Sequence, residues 1–185
     1  MPHRVCPWWL GYLLAGPLRR ILQDPAEVVK PYVREGMTVL EPGPGMGFFT
    51  LELARLVGAS GRVVAVDIQP RMLAGLKRRA TRAGLLERLD LRLAAPGTLG
   101  LTDFTAAADF TLAFAMVHEL PAVAAFFGEV AKASKPGAGL LFAEPSGHVK
   151  PPDFEAELQA ATHAGFALQG RPSIRRSHAA FLINA

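Results

Sequence analysis

Apolar and polar positions fall in blocks along this chain, and the period of the pattern changes from block to block. Val39 and Leu40 form a short apolar run that ends on the carboxylate of Glu41. Residues 62–67 form a second, nearly continuous run ending on Asp67, as expected of a parallel strand buried on both faces. Residues 89–93 alternate, and 109–114 and 139–143 are again apolar. Between these runs the period becomes helical. Phe49, Leu53, Leu56 and Val57 share one face of a helix expected over 48–57,. Pro70 opens a helix to residue 83, with Gly84 as its stop,. Further helices are expected over 122–133 and 152–164, the latter stopped by Gly165. Upstream, Asp24-Pro25-Ala26-Glu27 starts a helix with a capping acid and a proline in its first turn, ending within 32–35,. Lys135-Pro136-Gly137 is expected as a turn, and residues 166–170 and 177–183 as two last strands with no helix between them.

That order predicts an α/β fold: a three-layer, doubly wound, mostly parallel seven-stranded sheet with an antiparallel hairpin at its C-terminal edge. Such sheets bind ligands beyond the carboxyl ends of their strands. Three glycines lie at alternate positions after the first strand, in Glu41-Pro42-Gly43-Pro44-Gly45-Met46-Gly47. Lacking a Cβ, they let backbone turn sharply and approach a ligand closely. The helix beyond offers unpaired N–H groups.

Composition narrows the reading. At 185 residues, half of them hydrophobic and 19% charged, the chain can bury a full core in one main domain, 31–185, behind an N-terminal segment 1–30,. That segment holds Trp8, Trp9 and Tyr12 and is read as a helical, aromatic flap, with core cover and membrane-surface contact as alternatives,. An apolar stretch over 5–16 imitates a secretion signal, but Pro7 interrupts it and no small-residue cleavage site follows,. No run approaches the roughly 20 apolar residues of a membrane-spanning helix. The one cysteine, Cys6, excludes a disulfide framework and a multi-cysteine metal site, so no metal and a reducing, cytoplasmic location are expected,. The net charge is +4; its densest cluster, Lys77, Arg78, Arg79 and Arg82, leaves RNA as an alternative partner,.

The glycine pattern decides between cofactors. A dinucleotide fingerprint, G-x-G-x-x-G/A, would need a small residue where Phe48 stands, and the G-K-[ST] of a phosphate loop is absent,. A nucleoside without a pyrophosphate suits the loop better. The stretch 41–47 resembles motif I of the class I S-adenosylmethionine-dependent methyltransferases. Val63-Val64-Ala65-Val66-Asp67 resembles their second strand with its ribose-binding acid, and Lys135-Pro136-Gly137-Ala138-Gly139 the turn into their fifth strand. The resemblance runs from residue 31 to the end of the chain.

It implies a Rossmann-like methyltransferase fold, with S-adenosylmethionine as cofactor and S-adenosylhomocysteine as product. Glu41 would face the cationic methionine end, Gly43, Pro44, Gly45 and Gly47 would cradle the cofactor, and Asp67 would accept from the ribose hydroxyls. Ile68 would lie against adenine, and Ala113 and Phe114 would line the methyl-donor side. Ala95 stands where many members carry an acid that reads the adenine amino group, so adenine would rely here on backbone and apolar contact.

Methyl transfer from a sulfonium is a direct displacement, so the protein chiefly aligns the acceptor. A base is needed only where the acceptor must lose a proton. His118 and Glu144 are the candidates for that role, with Glu119 and His148 nearby in sequence. The Asn/Asp-Pro-Pro-Tyr signature of nucleic-acid amino methylation is absent, as is a Pro-Cys pair. Only residues 145–150 separate the fifth strand from the next helix, so substrate cover must come from the flap, the loop around His118 or a second subunit. The expected acceptor is small and partly apolar, and a homodimer is a candidate assembly. An RNA methyltransferase and a non-catalytic cofactor-binding partner subunit are the alternatives.

Overall fold

The computed structural model describes residues 23–185, so the expected flap with Trp8, Trp9 and Tyr12, and Cys6 with it, lies outside the described residues. Seven strands form one mixed sheet in the order β3-β2-β1-β4-β5-β7-β6, with helices between them, as the pattern predicts. The described chain divides into two compact units, 23–94 and 95–185.

The N-terminal unit contains α1 (Pro25–Val29), β1 (Thr38–Pro42), α2 (Thr50–Leu56), β2 (Arg62–Asp67), α3 (Pro70–Arg82) and β3 (Leu89–Leu93). Asp24 caps α1 by accepting from the Ala26 N–H at 2.9 Å. This helix is one turn, shorter than the expected run to 32–35; the chain continues as turns, where the Arg34 guanidinium donates to the Lys30 and Val33 carbonyls at 3.0 Å. β1, β2 and β3 are parallel, with Glu41 opposite Ala65 and Asp67 opposite Leu93. Their core is aliphatic: Val39, Leu40, Leu53, Val63, Val64 and Leu76 are fully buried. The helix expected from residue 48 starts at Thr50, because turns through Gly47 and Phe48 carry the chain out of β1 first.

The C-terminal unit contains β4 (Ala108–Phe114), α4 (Val123–Ala133), β5 (Ser134–Pro145), α5 (Pro151–His163), β6 (Phe166–Gly170) and β7 (Ser177–Asn184). β4 and β5 are parallel, and β7 runs antiparallel to both β5 and β6, giving the expected edge hairpin. Lys135-Pro136-Gly137 is not a free turn before the strand; it lies inside β5 as a bulge. Ala108 pairs with Ser134 and Phe110 with Gly139, so three residues of β5 find no counterpart on β4. Pro136 has no N–H for a regular ladder. Asn184 fixes the bulge by sharing its side-chain amide among the Ala131, Ser134 and Lys135 carbonyls, each at 3.2 Å. The core here is aromatic. Phe142 stacks on Phe154 at 4.8 Å and meets the edge of Phe127 at 5.4 Å.

Among the described residues, no helix is long and apolar enough to cross a membrane.

Candidate functional site

In the N-terminal unit the loop after β1 is held from three directions. The Gly43 N–H donates to the Val66 carbonyl at 2.9 Å, tying the loop to β2. Arg79 of α3 donates to the Met46 carbonyl. Met46 itself is buried against Gly75, where a Cβ would stand 3.0 Å from its side chain. Gly45 and Gly47 have φ of +56° and +83°, a conformation that costs L side chains about 1–2 kcal/mol,. Their surroundings differ. A Cβ on Gly47 would come within 2.5 Å of Leu76, whereas one on Gly45 would meet no heavy atom within 4 Å. Gly47 is thus set by its positive φ and crowded by the Leu76 methyl, and Gly45 keeps a stretch of backbone open to a ligand.

Two carboxylates stand beside this loop. Asp67 is 8% exposed and accepts from the Gln69 N–H at 2.8 Å, which turns the chain sharply after β2. Glu41 is 3% exposed, and its Oε2 has no hydrogen-bond partner among the described residues. Burial pushes its carboxyl up to about 8; the nearby Thr50 hydroxyl offsets part of this, and the charge of Asp67 adds to it. Thr50 Oγ1 is close enough to act on Glu41 electrostatically yet makes no hydrogen bond of normal geometry. Ile68, after β2, and Leu93, at the end of β3, are large apolar residues left 40% and 61% exposed. Backbone open to contact, an orphaned acid, a strand-end aspartate and two bare apolar side chains suit a ligand with a cationic end, a polyol and a flat apolar ring.

In the C-terminal unit the candidate bases come together. Glu144, at the end of β5, is fully buried. Its Oε1 accepts from the Val117 N–H at 2.7 Å and the Met116 N–H at 3.2 Å, and its Oε2 is hydrogen-bonded to His118 Nδ1. The chain after β4 is bent to allow this: Ala115 has φ +57°, and residues 117–119 form a short 3-10 turn. The Glu144 hydrogen bond raises the His118 pKa above its usual value; burial opposes this, and the charges of Glu144, Glu119 and Glu157 add to it. An imidazole fixed at Nδ1 presents Nε2 as its working atom. His148 is exposed, with its ring centre 6.2 Å from that of His118.

Sequence reasoning missed the neighbours of this pair. Glu157 of α5 has its carboxyl pushed up to about 7 by burial and by the charge of Glu144, against the pull of His118. His178 of β7 lies opposite Glu144 in register and against Phe154, and its Nε2 is buried without a partner. The helix α5 and strand β7 follow Glu144 in the chain, so no local motif announces them. Among the described residues no group of His, Cys, Asp and Glu side chains is arranged to hold a metal ion.

The other expected contacts sit as follows. Ala113 is buried and Phe114 half-buried, opposite Phe142 and Ala143 of β5. Ala95 is exposed, and its carbonyl accepts from Thr98. Arg79, counted from sequence in a cationic cluster, is engaged with the glycine loop; Lys77, Arg78 and Arg82 are exposed.

Comparison with known proteins gives a consistent picture. The sequence profile of the methyltransferase-domain family matches residues 33–173. A tRNA (adenine(57)-N(1)/adenine(58)-N(1))-methyltransferase of Methanocaldococcus jannaschii is 33% identical over 61 residues, covering 33% of this chain and 22% of that protein. A protein-L-isoaspartate O-methyltransferase of Methanothrix thermoacetophila is 38% identical over 71 residues, covering 38% of this chain and 33% of that one. The matches thus span a third or less of these curated relatives. A SAM-dependent methyltransferase from Aquifex aeolicus shares the fold at 24% identity, with a TM-score of 0.86 over 98% of this chain and all of that one.

Proposed function

The chain belongs to the methyltransferase-domain family; from that premise we propose that it is an S-adenosylmethionine-dependent methyltransferase and that it methylates a small, partly apolar acceptor whose N–H or O–H proton is taken by His118. The observation that carries this reading is the Glu144–His118 hydrogen bond at Nδ1, which leaves Nε2 free of that partner and makes it the more basic,.

When bound, S-adenosylmethionine supplies a methyl group on a sulfonium, open to direct displacement. The protein's own work is to hold and to orient. Asp67 would accept from the ribose hydroxyls, and Ile68 and Leu93, both exposed, would offer their apolar surface to adenine. Glu41 balances the cationic methionine end. Gly43, Pro44, Gly45 and Gly47 would supply the backbone cradle. Glu144 is a positioning residue: both its oxygens are committed to the backbone and to His118.

Thermal unfolding with S-adenosylhomocysteine and with NAD tests the cofactor. At a hundredfold excess over Kd the true ligand adds about 2.7 kcal/mol. Stabilisation by NAD alone would defeat the reading.

RNA is the second reading for the acceptor. Its support is the likeness to a tRNA methyltransferase together with exposed Lys77, Arg78 and Arg82 on α3. It requires RNA binding that falls steeply with salt. Binding that is absent at low salt removes it.

A further inference from the structure

Glu41 does nothing for the fold that an apolar residue could not do. It sits at the end of β1, 3% exposed, with Oε2 unpartnered among the described residues. An ionised carboxylate so placed is very costly unless a cation or several donors face it. The groups facing it from neighbouring elements of its unit are Asp67 of β2, a like charge, and Thr50 of α2, a hydroxyl without hydrogen-bond geometry. Arg79 of α3 donates to the Met46 carbonyl. Burial pushes the Glu41 carboxyl up to about 8, so the neutral acid is its resting form near neutral pH. A cation placed beside it would reverse that preference.

We propose that Glu41 is a proton-coupled selector of the cofactor's methionine end: it carries a proton before the cofactor enters and releases it to solvent once the cationic amino-acid end lies beside it. The inference rests on the cofactor reading above. The only bond broken is the carboxyl O–H; its electron pair stays on the carboxylate, and the proton passes to buffer. Cofactor uptake then becomes tighter as pH rises toward the resting value of Glu41 and levels off above it. Ligands with an ammonium-bearing amino-acid tail gain from the released carboxylate. A bare nucleoside, which engages the ribose acid alone, does not.

The test is calorimetric titration with S-adenosylhomocysteine, and with adenosine as control, in buffers of low and high ionisation enthalpy. Wild type and Glu41→Gln are compared between about pH 5.5 and about pH 7, below the range where a ligand amino group titrates. For wild type, Kd for S-adenosylhomocysteine should fall by roughly 30-fold over that range, about tenfold per pH unit, with about one proton released. Glu41→Gln, isosteric with the neutral acid, should bind without that slope and without buffer-dependent heat, and adenosine should bind wild type with no slope. A flat wild-type profile overturns the inference while leaving the cofactor reading intact. So does a slope that survives in Glu41→Gln or appears equally with adenosine. Failure of S-adenosylhomocysteine to bind at any pH removes the cofactor reading itself, and the inference with it.

Discussion

Gly43, Gly45 and Gly47 of the N-terminal unit lie within five consecutive positions, whereas His118 and Glu144 of the C-terminal unit are 26 residues apart and meet only after β4 and β5 pair. The first unit works with backbone: positive φ, a clear Cβ direction at Gly45, and a loop clamped through main-chain atoms. The second works with side chains, on an aromatic layer of Phe127, Phe142 and Phe154. Their buried glutamates show the contrast most sharply. Glu144 accepts two backbone N–H groups and holds a histidine. Glu41 has an oxygen with nothing to accept from. A buried carboxylate with its acceptors filled is held in place by them, whereas a buried acid with an unfilled oxygen favours its neutral form,.

If the units divide the labour in this way, the largest effect comes from His118→Ala. Removing a general base should lower kcat by about 10²–10⁴-fold. Affinity for S-adenosylhomocysteine, by calorimetry, should be unchanged. An equal loss of cofactor affinity would break the division of labour between the units.

The next effect separates the two glutamates. Glu144→Ala strands the Met116 and Val117 N–H groups and opens a cavity, which should cost about 3 kcal/mol of stability in urea unfolding. Glu41→Gln should act in the opposite direction and depend on pH. The folded state keeps a proton on Glu41 that the unfolded chain gives up near the ordinary carboxyl value of 4.5, so wild-type stability falls as pH rises toward about 8,. The Gln variant lacks that loss, and its stability relative to wild type should rise between those limits and then level off. A Glu41→Gln that is less stable than wild type at about pH 8 would show that the acid has a partner after all.

A smaller change is expected of Asp67→Ala, which should weaken S-adenosylhomocysteine by roughly ten- to a hundredfold, the worth of charge-assisted hydrogen bonds. Unchanged affinity would reduce Asp67 to a turn former for Gln69.

This contrast also explains what could be read in advance. β2, β3 and α3 follow from apolar period and punctuation, because those signals are local. The glycine loop was legible for the same reason: backbone conformation leaves its mark on residue type. The bulge at Lys135-Pro136-Gly137 was not, since a proline and glycine inside a strand look like a turn until β4 supplies the register. His118 and Glu144 were both singled out, but the bond between them was not, because nothing within a few residues of either names the other. Glu157 and His178 were missed entirely; they earn attention only through burial and neighbours supplied by α5 and β7.

The smallest effect is the most diagnostic of the C-terminal device. Three carboxylates act on His118, and the largest contribution is the Glu144 hydrogen bond, which raises its pKa. The stabilisation that the charged pair lends to the fold is therefore complete below the unfolded value of 6.5 and is lost as pH rises through the raised folded value,. Catalysis runs the other way: a base must be unprotonated, so kcat should climb with pH through that same raised value. Glu144→Gln keeps an acceptor for the Val117 N–H but removes the charge. The His118 titration, followed by imidazole NMR, should move down, and the rising limb of the kcat profile should move with it, while the plateau drops because the weaker base is also less well oriented. A His118 titration that stays where it was in Glu144→Gln would mean that burial and Glu157, rather than the Glu144 hydrogen bond, govern the imidazole, and the pair would then be a structural contact at the end of β5.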